Sequence, residues 1–123
     1  MIKPKVLVIE DNDQNLYLVT FLLKKNGFAV VAARNGRDGI KMACEQMPEL
    51  ILLDIQLPGM NGYEVARQLC RIDAVKEIPI VAVTSYAMVG DREKALDAGC
   101  TGYIEKPIQP ETFIEDIKQF IST

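Results

Sequence analysis

Four apolar runs in this chain stop on a charged or hydroxylic residue. Val6-Leu7-Val8-Ile9 meets Glu10 and Asp11, Leu50-Ile51-Leu52-Leu53 meets Asp54, Ile80-Val81-Ala82-Val83 meets Thr84, and Tyr103-Ile104 meets Glu105 and Lys106. Short aliphatic runs of this kind read as buried strands. In an open parallel sheet all strands point the same way, so their carboxyl ends share one edge, where ligands settle. Carboxylates, a hydroxyl and an ammonium would converge there. Acids packed together raise one another's pKa unless a cation sits among them. Glu10 and Asp11 offer the hard oxygens that magnesium takes while it keeps water and a phosphate oxygen. Asp54, fixed at the end of a central strand, is the candidate nucleophile, able to attack phosphorus and form an acyl phosphate. Lys106 would neutralise the phosphoryl group, and Thr84 could donate its hydroxyl to a phosphate oxygen.

Each residue also has an ordinary explanation. An Asp often starts a turn, Thr and Tyr suit strands, and an exposed Lys is usually only solubilising. Glu10-Asp11 also reads as an acidic turn before a helix capped by Asn12 or Asp13. Only their occurrence together, at strand ends in this order, outweighs those explanations. A cis Lys106-Pro107 bond would aim the lysine inward.

The elements that must position these residues alternate strictly. Leu16, Val19 and Leu23 have helical spacing, with Gly27 after Asn26 as a left-handed stop. Phe28 to Ala33 is a second strand. Ile40, Ala43, Cys44 and Met47 predict the buried stripe of a second helix ended by Pro48. Leu50 to Leu53, apolar on both faces, predicts the middle strand. Pro58 to Gly62 is a turn before a third helix with Val65, Ala66, Leu69 and Cys70 on its apolar face. The fourth strand opens at Pro79. Met88 to Ala98 predicts a helix whose thin apolar face, chiefly Ala95, Leu96 and Ala98, leaves it weakly anchored. Gly99 ends it, Gly102 to Ile104 is the fifth strand, and Pro110 opens a last helix carrying Phe113, Ile114, Ile117, Phe120 and Ile121. Five such repeats imply an α/β, flavodoxin-like (βα)5 doubly wound parallel sheet of order 2-1-3-4-5.

At 123 residues the chain predicts one domain spanning 1–123. A net charge of −3 with scattered basic residues argues against nucleic-acid binding. No segment suggests a signal peptide or membrane helix, and Cys44, Cys70 and Cys100 read as reduced core or near-core thiols, so a cytoplasmic setting is expected. Histidine is absent, so any phosphohistidine belongs to a partner.

Glu10-Asp11, Asp54, Pro58, Gly62, Thr84, Tyr103 and Lys106-Pro107 together resemble the response-regulator receiver domain of bacterial two-component signalling, over the whole chain. The Asn12 and Asn15 pattern and the Asp54-to-Gly62 stretch are most similar to stand-alone cell-division-regulator receivers and to receivers of hybrid histidine kinases. The resemblance implies Asp54 as phosphoacceptor, Glu10 and Asp11 as metal-site acids, the Gln56 backbone carbonyl as a further Mg2+ ligand, Lys106 as phosphate contact, and Thr84 with Tyr103 as a switch pair. It also implies autocatalysed phosphorylation and dephosphorylation, a sensor histidine kinase or histidine phosphotransfer protein as donor, and a downstream target protein reached through the Met88 to Phe120 surface. Gln56 and Tyr86 stand at positions that tune dephosphorylation in the family. Ser85 departs from the pattern, which usually has Ala after the threonine.

Two rivals share the fold logic. Asp11-Asn12-Asp13 resembles the start of haloacid-dehalogenase-type phosphohydrolases, with Asp11 as nucleophile and Asp13 as acid–base. That reading leaves Asp54 without a role. A flavodoxin-like cofactor binder would need Gly, Ser or Thr amides after the first strand, where this chain is acidic.

Overall fold

The computed structural model describes residues 3–85 and 90–121. Five strands, β1 (Lys5–Ile9), β2 (Ala29–Ala33), β3 (Leu50–Asp54), β4 (Ile80–Thr84) and β5 (Gly102–Glu105), alternate with α1 (Asp13–Lys25), α2 (Gly36–Gln46), α3 (Gly62–Cys70), α4 (Asp91–Asp97) and α5 (Pro110–Lys118). All pairings are parallel and the order is β2-β1-β3-β4-β5, as expected from the repeat.

Strand side chains alternate between two cores, which is why the central runs are apolar throughout. Leu7, Ile9, Ile51, Leu53 and Ala82 pack with Val65, Ala66 and Leu69 of α3. Val6, Val8, Leu50, Leu52, Val81 and Val83 pack on the other face with Leu23 of α1 and Phe113 and Ile117 of α5. Every residue of β3 and β4 is buried.

Three helices start on an Asn that satisfies an otherwise unpaired amide. Asn12 accepts from the Asn15 N–H (2.9 Å), Asn35 from Asp38 (2.8 Å) and Asn61 from Glu64 (3.0 Å). Of the two expected caps for α1, Asn12 is the one used. Helix α1 stops at Asn26 and Gly27, the latter at φ +89°. Gly62 has a tighter constraint. A Cβ there would lie 2.5 Å from Ile55 Cα and 2.7 Å from the Asp54 carbonyl oxygen, so only glycine lets α3 begin this close to the backbone after Asp54.

Three expectations need correction. The buried side of α2 is Gly36, Gly39 and Ala43, whereas Cys44 and Met47 are exposed. Ile9 fills the space beside Gly39, giving α2 a narrow contact face, and Met47 lies past the helix end in a left-handed conformation. Cys44 is therefore not a core thiol; Cys70 is half-buried and Cys100 buried. On α4, Ala95 and Ala98 are buried but Leu96 is 47% exposed. The apolar face is thinner than expected. Met88, where the fourth helix was expected to begin, and Tyr86, named with Gln56 as a tuning position, lie outside the described residues, and the helix itself runs from Asp91.

Candidate functional site

The carboxyl ends of β1, β3, β4 and β5 meet at one edge, with β1 and β3 adjacent at the sheet's centre. Asp54 closes β3 and is 3% exposed. Its Oδ1 accepts from the Gln56 N–H (2.9 Å), and its Oδ2 lies 3.4 Å from Lys106 Nζ. Glu10, directly after β1, is 4% exposed. Its Oε1 is 3.0 Å from Lys106 Nζ, and its Oε2 accepts from the Asn12 N–H (3.2 Å). Asp11 is exposed beside them, and one carboxylate oxygen each from Glu10, Asp11 and Asp54 lie within 4.8 Å of one another. The acids distant in sequence are neighbours, and Lys106 faces them.

Burial, then the adjacent Asp54 carboxylate, push the Glu10 carboxyl from 4.5 up to about 7, against the pull of Lys106 and the Asn12 amide. Lys106 is one ammonium against three acids. The donor set is all hard oxygen and its negative charge exceeds its cationic partner, which fits a divalent ion such as Mg2+ rather than a softer metal.

Of the other predicted residues, Gln56 and Thr84 are bonded to the cluster's own residues, Gln56 to Asp54 and Thr84 to the Lys106 backbone. Thr84 ends β4 and is buried; its carbonyl accepts from the Lys106 N–H (2.8 Å), tying β4 to the loop that presents the lysine. The Lys106-Pro107 bond is cis, and the lysine points at Glu10 and Asp54. Tyr103 is half-buried in β5, its phenol pKa raised by burial and then by Asp91, Glu105 and Tyr63. Gln56 is half-buried next to Asp54. Asp13 is elsewhere: 81% exposed on α1 and paired with Arg34, outside the acid cluster. Asp13, the second acid of the dehalogenase-type pair, is thus not among the clustered carboxylates.

One contact escaped the sequence reading. The Gln56 Oε1 accepts from both the Ser85 N–H (3.2 Å) and the Ser85 hydroxyl (2.6 Å), bridging the loops after β3 and β4. Its signal was present in the strand order. With Asp54 level with Val83 across β3 and β4, the residues two further along each chain are Gln56 and Ser85.

Residues 6–118 match the response regulator receiver domain model. The chain belongs to the response-regulator receiver family. Similar curated receivers include the polar-differentiation response regulator DivK of Brucella anthropi, 42% identical over 116 residues and 94% of each chain, and that of Brucella ovis, 40% identical over the same share. Among solved structures, the chemotaxis response regulator CheY4 of Vibrio cholerae superposes with a TM-score of 0.92 at 25% identity, over 98% of this chain and all of that one. The receiver domain of the sensor histidine kinase PA1611 of Pseudomonas aeruginosa, solved with a magnesium ion coordinated in its active site cleft, gives 0.90 at 29% identity over 99% and 100%. The flavodoxin-like fold and the receiver assignment stand together, and the acidic cluster of this receiver lies at the same sheet edge where Lys106 projects.

Proposed function

We propose that this receiver, one domain over residues 1–123, is a phosphoacceptor switch that takes a phosphoryl group from a partner's phosphohistidine onto Asp54. The observation that carries this reading is the environment of Asp54: buried, with one oxygen on a backbone N–H, the other within 3.4 Å of Lys106, and two further acids within reach. In the transfer an Asp54 oxygen bonds to phosphorus, the phosphorus–nitrogen bond to the donor imidazole breaks, and the ring leaves as the neutral base after taking up a proton. Lys106 is placed to shift its charge from Glu10 and Asp54 to the incoming oxygens. Glu10, Asp11, Asp54 and the Gln56 carbonyl are the residues that would hold Mg2+, which when bound offsets the charge of the phosphoryl oxygens.

Thr84 and Tyr103 are the proposed switch pair. The Thr84 hydroxyl would move to a phosphoryl oxygen, and Tyr103 would turn into the space released, taking α4 with it. The few buried side chains of α4 favour such movement. The affected surface includes a groove between α4 and α5 lined by Arg92, Leu96, Tyr103, Gln109 and Phe120, where a target protein would read the change. Kinship with chains named polar-differentiation response regulators supports a regulatory role. Among the described residues no helix is long and apolar enough to cross a membrane, and we place the protein in the cytoplasm, alongside a sensor histidine kinase or phosphotransfer donor.

The test is intact-mass measurement after incubation with acetyl phosphate and magnesium. The wild type gains one phosphoryl group; Asp54→Asn gains none. Uptake that persists in Asp54→Asn and vanishes in Asp11→Asn would instead point to Asp11 as the nucleophile.

A further inference from the structure

The two edges of the sheet are not equally protected. β5 ends on the exposed carboxylate of Glu105, whereas β2, at the far edge, reads Ala29-Val30-Val31-Ala32-Ala33 with no charge, proline or bulge. An uncharged, regular edge is a template for another strand. Ala29 donates its N–H to the Pro4 carbonyl and the Ala33 carbonyl accepts from Glu10, so Ala29, Val31 and Ala33 face β1 while Val30 and Ala32 turn their N–H and C=O groups outward. Among the described residues nothing bonds to those four groups.

The strand fits itself. Turned antiparallel about a two-fold axis through Val31, Val30 comes opposite Ala32 of the second copy, Ala29 opposite Ala33, and Val31 opposite itself. Both outward residues then exchange N–H and C=O bonds with their counterparts. Helix α2 packs evenly on β1 and β2. Its axis therefore lies about half a strand spacing inside the edge, and two copies of α2 would stand about 10 Å apart, the separation of packed helices. Their charges match as well. Gly39 lies against Ile9, which is level with Ala33. The helix runs back along the strand at about 1.5 Å per residue against about 3.3 Å, so the level of Val31 falls about four residues on, at Ala43, midway between Lys41 and Glu45. Both are exposed, neither belongs to an ion pair among the described residues, and with Ala32 they line the groove beside this edge. The axis that sets Val31 on Val31 thus sets Lys41 against Glu45 of the second copy, twice. An extended peptide from another protein could use the same backbone bonds but would have no reason to match these charges.

We propose that β2 is a self-association edge, along which a second copy of this chain pairs antiparallel over Ala29–Ala33 and joins two five-stranded sheets into one, with Lys41 and Glu45 of the facing α2 helices exchanging ion pairs. The contact lies at the opposite edge from β5, so the groove between α4 and α5 stays open, and Asp54 takes no part in it.

The test is sedimentation of the full chain at low salt from about 1 μM to about 1 mM, a span that covers weak association. The wild type is expected to move from monomer to dimer mass, and Asp54→Asn to do the same. Lys41→Glu and Glu45→Lys each set like charges together at both contacts and should weaken association about tenfold. An equal mixture of these two variants should associate like the wild type, because every facing pair is then opposite in sign. Loss of folding in one variant could not be repaired by mixing. Ala32→Pro removes an outward N–H and no bond of the β1–β2 ladder, and should stay monomeric with unchanged circular dichroism. A wild type that is monomeric throughout, a mixture no better than its components, or an Ala32→Pro chain that associates normally would each overturn the proposal and leave the phosphoacceptor reading untouched.

Discussion

Removing magnesium exposes how strongly the acid cluster opposes folding, and Glu10 reports it. Its carboxyl is raised from 4.5 to about 7 by burial and by Asp54. Between those values the folded chain holds a proton that the unfolded chain has lost. The folded state binds more protons, so stability falls as pH rises through this window; it is highest below about pH 4.5 and has lost this contribution above about pH 7. At about 1.4 kcal/mol per pKa unit, the difference is worth about 3 kcal/mol. Other carboxylates titrate over part of the same range, so the informative quantity is the wild type compared with Glu10→Gln, which keeps the side-chain shape and cannot ionise. Urea unfolding in a chelator, from about pH 4.5 to about pH 8, should show Glu10→Gln gaining on the wild type by about 3 kcal/mol across the window. Added magnesium, which binds the ionised form, should restore the wild type at the alkaline end and do less for Glu10→Gln. Parallel pH profiles for the two proteins in the chelator would refute the reasoning.

Lys106→Met keeps the length of the side chain and leaves Glu10 and Asp54 facing each other without their cation. Unfolding midpoints should show a loss of about 3 kcal/mol near pH 8 and a smaller one near pH 5, where Glu10 takes up a proton; equal losses at both would contradict the assignment. Gly62→Ala forces a methyl group to within 2.5 Å of Ile55 Cα. It should cost about 1–3 kcal/mol and slow phosphorylation of Asp54, since the displaced backbone is the one following that residue. An unchanged midpoint in denaturant would argue against the close approach. Native thiol labelling with peptide mapping should modify Cys44 first and Cys70 next. Cys100, buried and with its thiol pushed up to about 12 by burial and by Cys70, should react only once denaturant is present.

The fold was legible because its central strands obey a rule that needs no tertiary knowledge. Leu50 to Leu53 and Ile80 to Val83 are apolar at every position, and only a strand covered by helices on both faces buries such a run completely. The start of α1 was legible for the same kind of reason, since Asn12 stands where a helix leaves amides unpaired; Asn35 and Asn61 cap α2 and α3 in the same way but were read only as parts of turns. The reading failed where burial depends on a neighbour's shape. Cys44 and Met47 fit the helical period of α2, but the contact is made by glycine and alanine, with Ile9 of β1 filling the space beside Gly39 and Val65 and Met60 that beside Gly36. Leu96 sits about 100° round α4 from Ala95, so the face of Ala95 and Ala98 that turns inward leaves it outside.

At the site, residue types alone identified the acids and the lysine, because strands that all point one way leave little choice about where their ends meet. The pairing of Gln56 with Ser85 required more. It depends on β3 lying beside β4 in a register that sets Asp54 against Val83, so that two side chains past the sheet's edge come level. Both residues stood out in the sequence, Gln56 by its position and Ser85 by its departure from alanine, but nothing there paired them. Thr84 and Lys106 show the same dependence on geometry: the Lys106 N–H bonds to the Thr84 carbonyl, so a displacement of the threonine reaches the backbone that presents the lysine. The acids and the lysine could be read from residue types, whereas the contacts between loops, Gln56 with Ser85 and Lys106 with Thr84, form only where the assembled sheet brings them together.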